Sequence, residues 1–115
     1  MAEYLTPSDF FVRHVTTAPI TVDLETTGLD FMKDRILLWA LRQEYRTTVI
    51  KHSEFERYKE MLQYIFYSED YLILGHNIKF DYKFIKKVIP DINCKFGCTY
   101  INQQIIMSGL DASFS

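Results

Sequence analysis

The sequence is short of the residues that build secreted, fibrous or membrane proteins. Its 115 residues include two cysteines, three prolines, four glycines and one tryptophan. Two cysteines cannot staple a disulfide scaffold. Four isolated glycines exclude a collagen-like repeat and a Gly-rich phosphate loop. The longest apolar run, Ile36 to Leu41, is far too short to cross a bilayer. The start, Met1-Ala2-Glu3-Tyr4, lacks the basic and apolar regions of a secretory signal, so a cytoplasmic chain with no membrane partner is expected. Excess charge is also scarce. Thirteen Lys and Arg stand against fifteen Asp and Glu, a formal net charge of −2. That argues against a broad basic face for coating duplex DNA, yet it leaves room for an enzyme that meets a few phosphates through metal ions.

What is present is an ordinary globular composition, 48% hydrophobic and 24% charged, with a high aromatic share of 16%. The length suits one domain over residues 1–115, and no repeat, low-complexity stretch or composition shift divides it. Thr6-Pro7-Ser8-Asp9 reads as a helix start, with Thr6 as cap and Pro7 at the first helical position. Residues 16–19 form a linker and 20–25 alternate as a strand. Residues 26–30 read as a turn that places Gly28 at positive φ. Residues 35–42, nearly all apolar, read as a central strand buried on both faces, and 46–51 as a third, β-branched strand. Ser53 and Glu56 make a capping box for a helix whose stripe is Phe55, Tyr58, Leu62, Ile65 and Phe66. A short strand at 71–74, a turn at 75–77 with Asn77 as cap, and a helix at 78–89 follow. A strand near 93–96 and a last helix from Thr99 to Ser108, ended by Gly109, complete the order. Strands joined by short turns should pair antiparallel and a strand reached through a helix parallel, giving an α/β mixed sheet flanked by helices.

Two groups of residues carry chemistry. In Asp23-Leu24-Glu25 the strand alternation puts both carboxylates on one face. Taken alone, the pair reads as a solvated strand end; such neighbours also repel, and a cation between them would relieve the cost, since hard divalent ions prefer that oxygen site. In His76-Asn77-Ile78-Lys79-Phe80-Asp81, the helical wheel sets Asp81 with Phe84, Ile85 and Val88, opposite Lys79, Lys83 and Lys86. Asp81 is therefore aimed inward, whereas Lys79, Lys83, Lys86 and Lys87 are most simply a solvated face, with guidance of DNA as the second reading. A first-turn acid helped by the helix dipole would explain its position along the helix but not its face. Three carboxylates with few basic neighbours suit one or two divalent ions, the arrangement that supports phosphodiester cleavage. Cys94 and Cys98 lack a second ligand pair and read as buried or half-buried thiols. His14 and His52 read as surface or helix-edge residues, His76 as structural, and Trp39 as core.

Asp23-Leu24-Glu25-Thr26-Thr27-Gly28-Leu29 resembles the first motif of the DEDD-type 3′–5′ exonucleases, and Gly75-His76-Asn77-Ile78-Lys79-Phe80-Asp81 resembles their second. Within that superfamily the exonuclease domain of A-family, polymerase I-like DNA polymerases, phage enzymes included, is most similar. Cys98-Thr99-Tyr100-Ile101-Asn102-Gln103-Gln104 resembles the segment that follows the second motif there, with Cys98 where Asp is usual. Gly109-Leu110-Asp111-Ala112-Ser113 resembles the loop that comes next. The resemblance implies a ribonuclease H-like fold, truncated before the third motif, which would bring a fourth carboxylate and a Tyr or His that orients water. It implies Mg²⁺ or Mn²⁺ held by Asp23, Glu25 and Asp81, with Asp23 bridging two ions. It implies contacts of Thr26 and Leu29 with a 3′-terminal nucleotide, Leu29 wedging its base. Asn77 would meet the substrate backbone and Phe80 the terminal base.

The expected function is proofreading: removal of nucleoside monophosphates from the 3′ end of single-stranded DNA during DNA replication, as part of a DNA polymerase. Two other readings stay open. One is a catalytically incomplete fragment, completed by a downstream polymerase chain or a self-associated copy. The other is an exoribonuclease of the same fold, since contacts that sense a 2′-OH are not legible here.

Overall fold

The computed structural model describes residues 3–14 and 16–99. In chain order the elements are β1 (Glu3–Tyr4), α1 (Pro7–His14), β2 (Ile20–Thr26), β3 (Ile36–Gln43), β4 (Arg46–Lys51), a 3₁₀ turn (His52–Glu54), α2 (Phe55–Phe66), β5 (Leu72–Gly75), α3 (Ile78–Val88) and β6 (Lys95–Cys98). The strands form one mixed sheet in the order β1-β4-β3-β2-β5-β6. β2, β3 and β4 pair antiparallel, whereas β5 joins β2, and β6 joins β5, in parallel after helical crossovers. That is the pairing the connection lengths require. Thr99 is a turn residue, and the rest of the helix expected at 99–108 lies outside the described residues.

Alternation on β2 decides which way the sheet packs. Ile20, Val22 and Leu24 are buried, and with them Trp39, Leu41, Ile50, Ile73 and Phe96 of the neighbouring strands. The stripe expected on α2, from Phe55 to Phe66, is buried as read. Trp39 sits at the centre, stacked on Phe55 at 5.8 Å between ring centroids and edge-on to Phe66 at 6.2 Å. Phe10 of α1 is fully buried in the same cluster.

The other sheet face is open along β3 and β4, so β3 is not buried on both sides as its apolar run suggests. The register explains why. Glu25 pairs with Leu38 but Thr26 pairs with Ile36, so Leu37 is an extra residue, a bulge, and it is 44% exposed. The bulge breaks the alternation and turns both Ile36 and Trp39 inward.

Other local expectations meet different outcomes. Thr6 does cap: the Asp9 amide donates to its Oγ1 at 3.2 Å. The capping box at Ser53 does not form, because the 3₁₀ turn takes that stretch and Glu54 becomes the N-cap without a side-chain bond. The strand near 93–96 exists but starts two residues later, and the two-residue β1 carries no pattern to read. The linker at 16–19 is pinned by a buried side chain, Gln43, whose amide donates to the carbonyls of Thr16 and Ala18 at 2.9 and 2.8 Å. Positive φ falls on Glu44 (58°), in the tight β3–β4 connection, and not on Gly28.

Candidate active site

The site residues gather where β2 outruns its neighbour. β5 pairs with β2 only at Ile20–Ile73 and Thr21–Leu74 and then ends at Gly75, so Asp23 and Glu25 extend past the last pair. Both are exposed, on the sheet face shared with their cross-strand partners Ala40 and Leu38. In an open α/β sheet, the space beyond the carboxyl ends of parallel strands is where ligands bind.

α3 starts three residues after Gly75 and brings Asp81 to the same place. Its buried residues are Ile78, Asp81, Tyr82, Phe84 and Ile85, so the wheel's inward face is confirmed, with Asp81 only 5% exposed. Gly75 makes room for it. A Cβ at that position would lie 3.0 Å from Asp81 Oδ2 and 2.8 Å from Ile78 Cδ1. Burial, and next the negative charge of Asp23, push the Asp81 carboxyl up to about 7. A buried acid that shares its field with a second carboxylate is short of positive charge.

The structure thus brings Asp23 and Asp81 into electrostatic contact. Glu25 stands on the same face of β2, farther along. The three do not close into a cage: among the described residues, no three His, Cys, Asp or Glu side chains are gathered closely enough to hold a metal ion. The donor set itself, three hard oxygen ligands with a surplus of negative charge, still fits a divalent cation of the magnesium class.

The other residues singled out in the two motifs lie at the end of β2, in the turn after it, and at the start of α3. Thr26 is half-buried, and its hydroxyl donates to Gly28 O at 2.7 Å within the turn. Leu29 is 87% exposed at the tip. Asn77 occupies the N-cap position of α3 without a side-chain bond, whereas its carbonyl accepts from the Phe80 and Asp81 amides, both at 3.1 Å. Phe80 is half-buried and packs at 4.9 Å on Phe84. A hollow of about 500 Å³ lies between this loop and α3, lined by Leu29, Phe31, Lys79, Phe80, Lys83 and Phe84.

Gly28 is needed for a different reason from the one its turn suggests. A Cβ there would collide with the carboxylate of Asp34, 2.7 Å from its Cγ. Sequence reasoning missed Asp34, and the signal for it was faint: one acid among several, seven residues after the threonine it bonds. It also read the lysines as solvated, yet Lys83 Nζ lies 5.6 Å from the centre of the Phe31 ring and Lys87 Nζ donates to two loop carbonyls.

His52 is likewise no free edge residue. Its Nδ1 accepts from Trp39 Nε1 at 3.0 Å, and burial lowers its pKa. His76 is exposed. Cys94 is buried, its thiol pushed up to about 12 by burial, and Cys98 is half-buried, with no disulfide between them.

A family model described as 3′–5′ exonuclease matches residues 4–114. Among solved structures, the fold is similar to Brucella melitensis NrnC bound to pGG (TM-score 0.70, 16% identity, covering 88% of this chain and 51% of that one). It is similar to Brucella melitensis NrnC with bound Mg²⁺ (TM-score 0.57, 15% identity, 72% and 42%). It is also similar to the catalytic core of RRP6 from Trypanosoma brucei (TM-score 0.56, 13% identity, 70% and 23%). The chain spans about half the length of the NrnC chains. No curated protein matches the sequence. No helix among the described residues is long and apolar enough to cross a membrane.

Proposed function

The chain belongs to the 3′–5′ exonuclease family, and from that membership we propose that the Asp23–Asp81 end of its sheet removes the 3′-terminal nucleotide of a nucleic-acid strand. The observation that carries this reading is Asp81, an acid buried on the inward face of α3 with its pKa raised by burial and by Asp23. A buried carboxyl facing the negative charge of an exposed one costs stability, and a site that binds cations is a physical reason to keep it.

On this reading Asp23, Glu25 and Asp81 hold Mg²⁺ or Mn²⁺. Bound there, a pair of such ions would supply Lewis-acid activation of water and of the phosphodiester. The chain's own side chains do the rest. Leu29, Thr26 and Phe80 seat the terminal nucleotide, and Asn77 meets the strand's backbone. Water adds across the bond between phosphorus and the 3′ oxygen. The shortened strand keeps a 3′-hydroxyl, and a nucleoside 5′-monophosphate leaves. The substrate supported by the motif resemblance is single-stranded DNA, in the proofreading setting of a DNA polymerase. The likeness to NrnC bound to pGG supports a second reading, in which the strand is very short.

The test uses 5′-labelled single-stranded DNA and RNA oligomers of graded length, with Mg²⁺ or Mn²⁺. Metal-dependent shortening from the 3′ end that is lost in Asp23→Ala and Asp81→Ala is the expected result, and the preferred oligomer identifies the substrate. Metal affinity left unchanged by both substitutions would overturn the site.

A further inference from the structure

The loop that carries Leu29 is held far more firmly than its exposure requires. It spans residues 27–35, between β2 and β3. At its base the Thr27 amide donates to Arg35 O at 2.9 Å, and the Arg35 amide donates to Thr27 Oγ1 at 3.1 Å. Inside it, the Asp34 carboxylate accepts from Thr27 Oγ1 and from the Asp30 amide, both at 3.0 Å. Asp30 Oδ1 accepts from the Met32 amide at 2.9 Å, and Asp30 O accepts from the Asp34 amide at 2.7 Å. The loop is wrapped around one carboxylate, with Gly28 pressed against it.

A second set of bonds reaches the loop from outside. Lys87 Nζ donates to Phe31 O at 2.9 Å and to Asp34 O at 3.2 Å. These are charge-assisted bonds to main-chain carbonyls, independent of the loop's side chains. Lys87 stands six residues after Asp81 on α3, about 9 Å along the helix axis. One rigid rod therefore carries the buried carboxylate in its first turn and the loop's anchor in its last.

We propose that Lys87 and Asp34 are positioning residues, which lock the 27–35 loop to α3 and so set the place of Leu29 at the mouth of the hollow. The inference rests on the function proposed above, because the hollow matters only if a terminal base enters it. An apolar tip held in place by its own loop binds without having to be ordered first, so the lock acts on substrate affinity and not on the chemistry at the carboxylates.

Lys87→Met keeps the apolar stem and removes the donors. Two measurements are made on the full chain: amide hydrogen exchange, and kcat and KM on a 5′-labelled single-stranded DNA oligomer. The expected result is exchange faster by about tenfold or more confined to residues 27–35, with KM up roughly 5–20-fold and kcat within about twofold. Lys87→Arg should restore both to within about twofold. A purely structural role would instead speed exchange across β3 and β4 and lower kcat, and that outcome overturns the proposal. So does unchanged exchange in the loop, or a loosened loop with unchanged KM. Asp23→Ala separates the two levels. If it is inactive while Lys87→Met behaves as wild type, the positioning role alone falls. If Asp23→Ala behaves as wild type, the site and this inference fall together.

Discussion

α2 and α3 are nearly the same object. They have twelve and eleven residues, and each buries a stripe of five side chains. On α2 the five are Phe55, Tyr58, Leu62, Ile65 and Phe66, all hydrophobic; on α3 one of the five is Asp81. Their surroundings differ accordingly. α2 lies under the paired middle of the sheet against Trp39, whereas α3 begins at the ragged edge where β5 has stopped and β2 has not. The difference teaches where this fold gives up stability. A leucine on that stripe removes apolar surface from water. An aspartate there must be protonated, paired or left at a cost.

The sharpest way to break the comparison is through activity. Asp81→Asn keeps the size of the side chain and removes its charge, and a divalent ion's contribution to catalysis is several kcal/mol. Turnover should fall on the order of 10³-fold, whereas an exposed α2 substitution such as Tyr64→Ala should leave it unchanged. Stability should respond the other way. Leu62→Ala, at a fully buried position, should cost about 2–5 kcal/mol in urea unfolding. Asp81→Asn in metal-free buffer should stabilise the chain.

The pH dependence fixes the sign of that second effect. The native Asp81 carboxyl titrates at about 7, against 3.8 for its unperturbed value. Between those values the native state binds this proton more readily than the unfolded chain, so the Asp81 contribution to stability falls as pH rises from about 4 to about 7 and levels off above. The gain from Asp81→Asn should therefore be small near pH 4 and grow towards a ceiling of about 4 kcal/mol at pH 8. A gain that shrinks with rising pH would show that the carboxylate is favourably paired in the fold.

The two helices also separate what could be read from the chain and what could not. Periodicity alone gave both inward faces, since burying a stripe is a local property of 3.6-residue repetition. The carboxylates were legible for the same reason: alternation places Asp23 with Glu25, and the wheel turns Asp81 inward. The open face of β3 was not legible, because six apolar residues in a row carry no alternation and the bulge at Leu37 is set by pairing with Glu25 and Thr26. The buried Gln43, the Trp39–His52 bond and the Lys87 anchor were hidden too. Each joins residues 13 to 56 positions apart, and a polar residue does not announce its distant partner.

The smallest effects test the helix starts, where α2 and α3 again look alike but should diverge. Ser53 and Asn77 are both cap-type residues, and neither α2 nor α3 has a side-chain cap bond. Ser53→Ala and Asn77→Ala should therefore each change stability by less than about 0.5 kcal/mol. Thr6→Ala, which removes a bond that is made, should cost about 1 kcal/mol. The divergence lies in binding. Ser53 precedes a helix that packs on the sheet, while Asn77 is exposed two residues beyond Gly75, in the turn that leads to Asp81. Its side chain, unused by the helix, is free to meet a strand's backbone, so Asn77→Ala should weaken oligomer binding several-fold and Ser53→Ala should not. Equal affinities for the two variants, measured by anisotropy of a labelled oligomer, would mean that Asn77 marks the turn into α3 and nothing more.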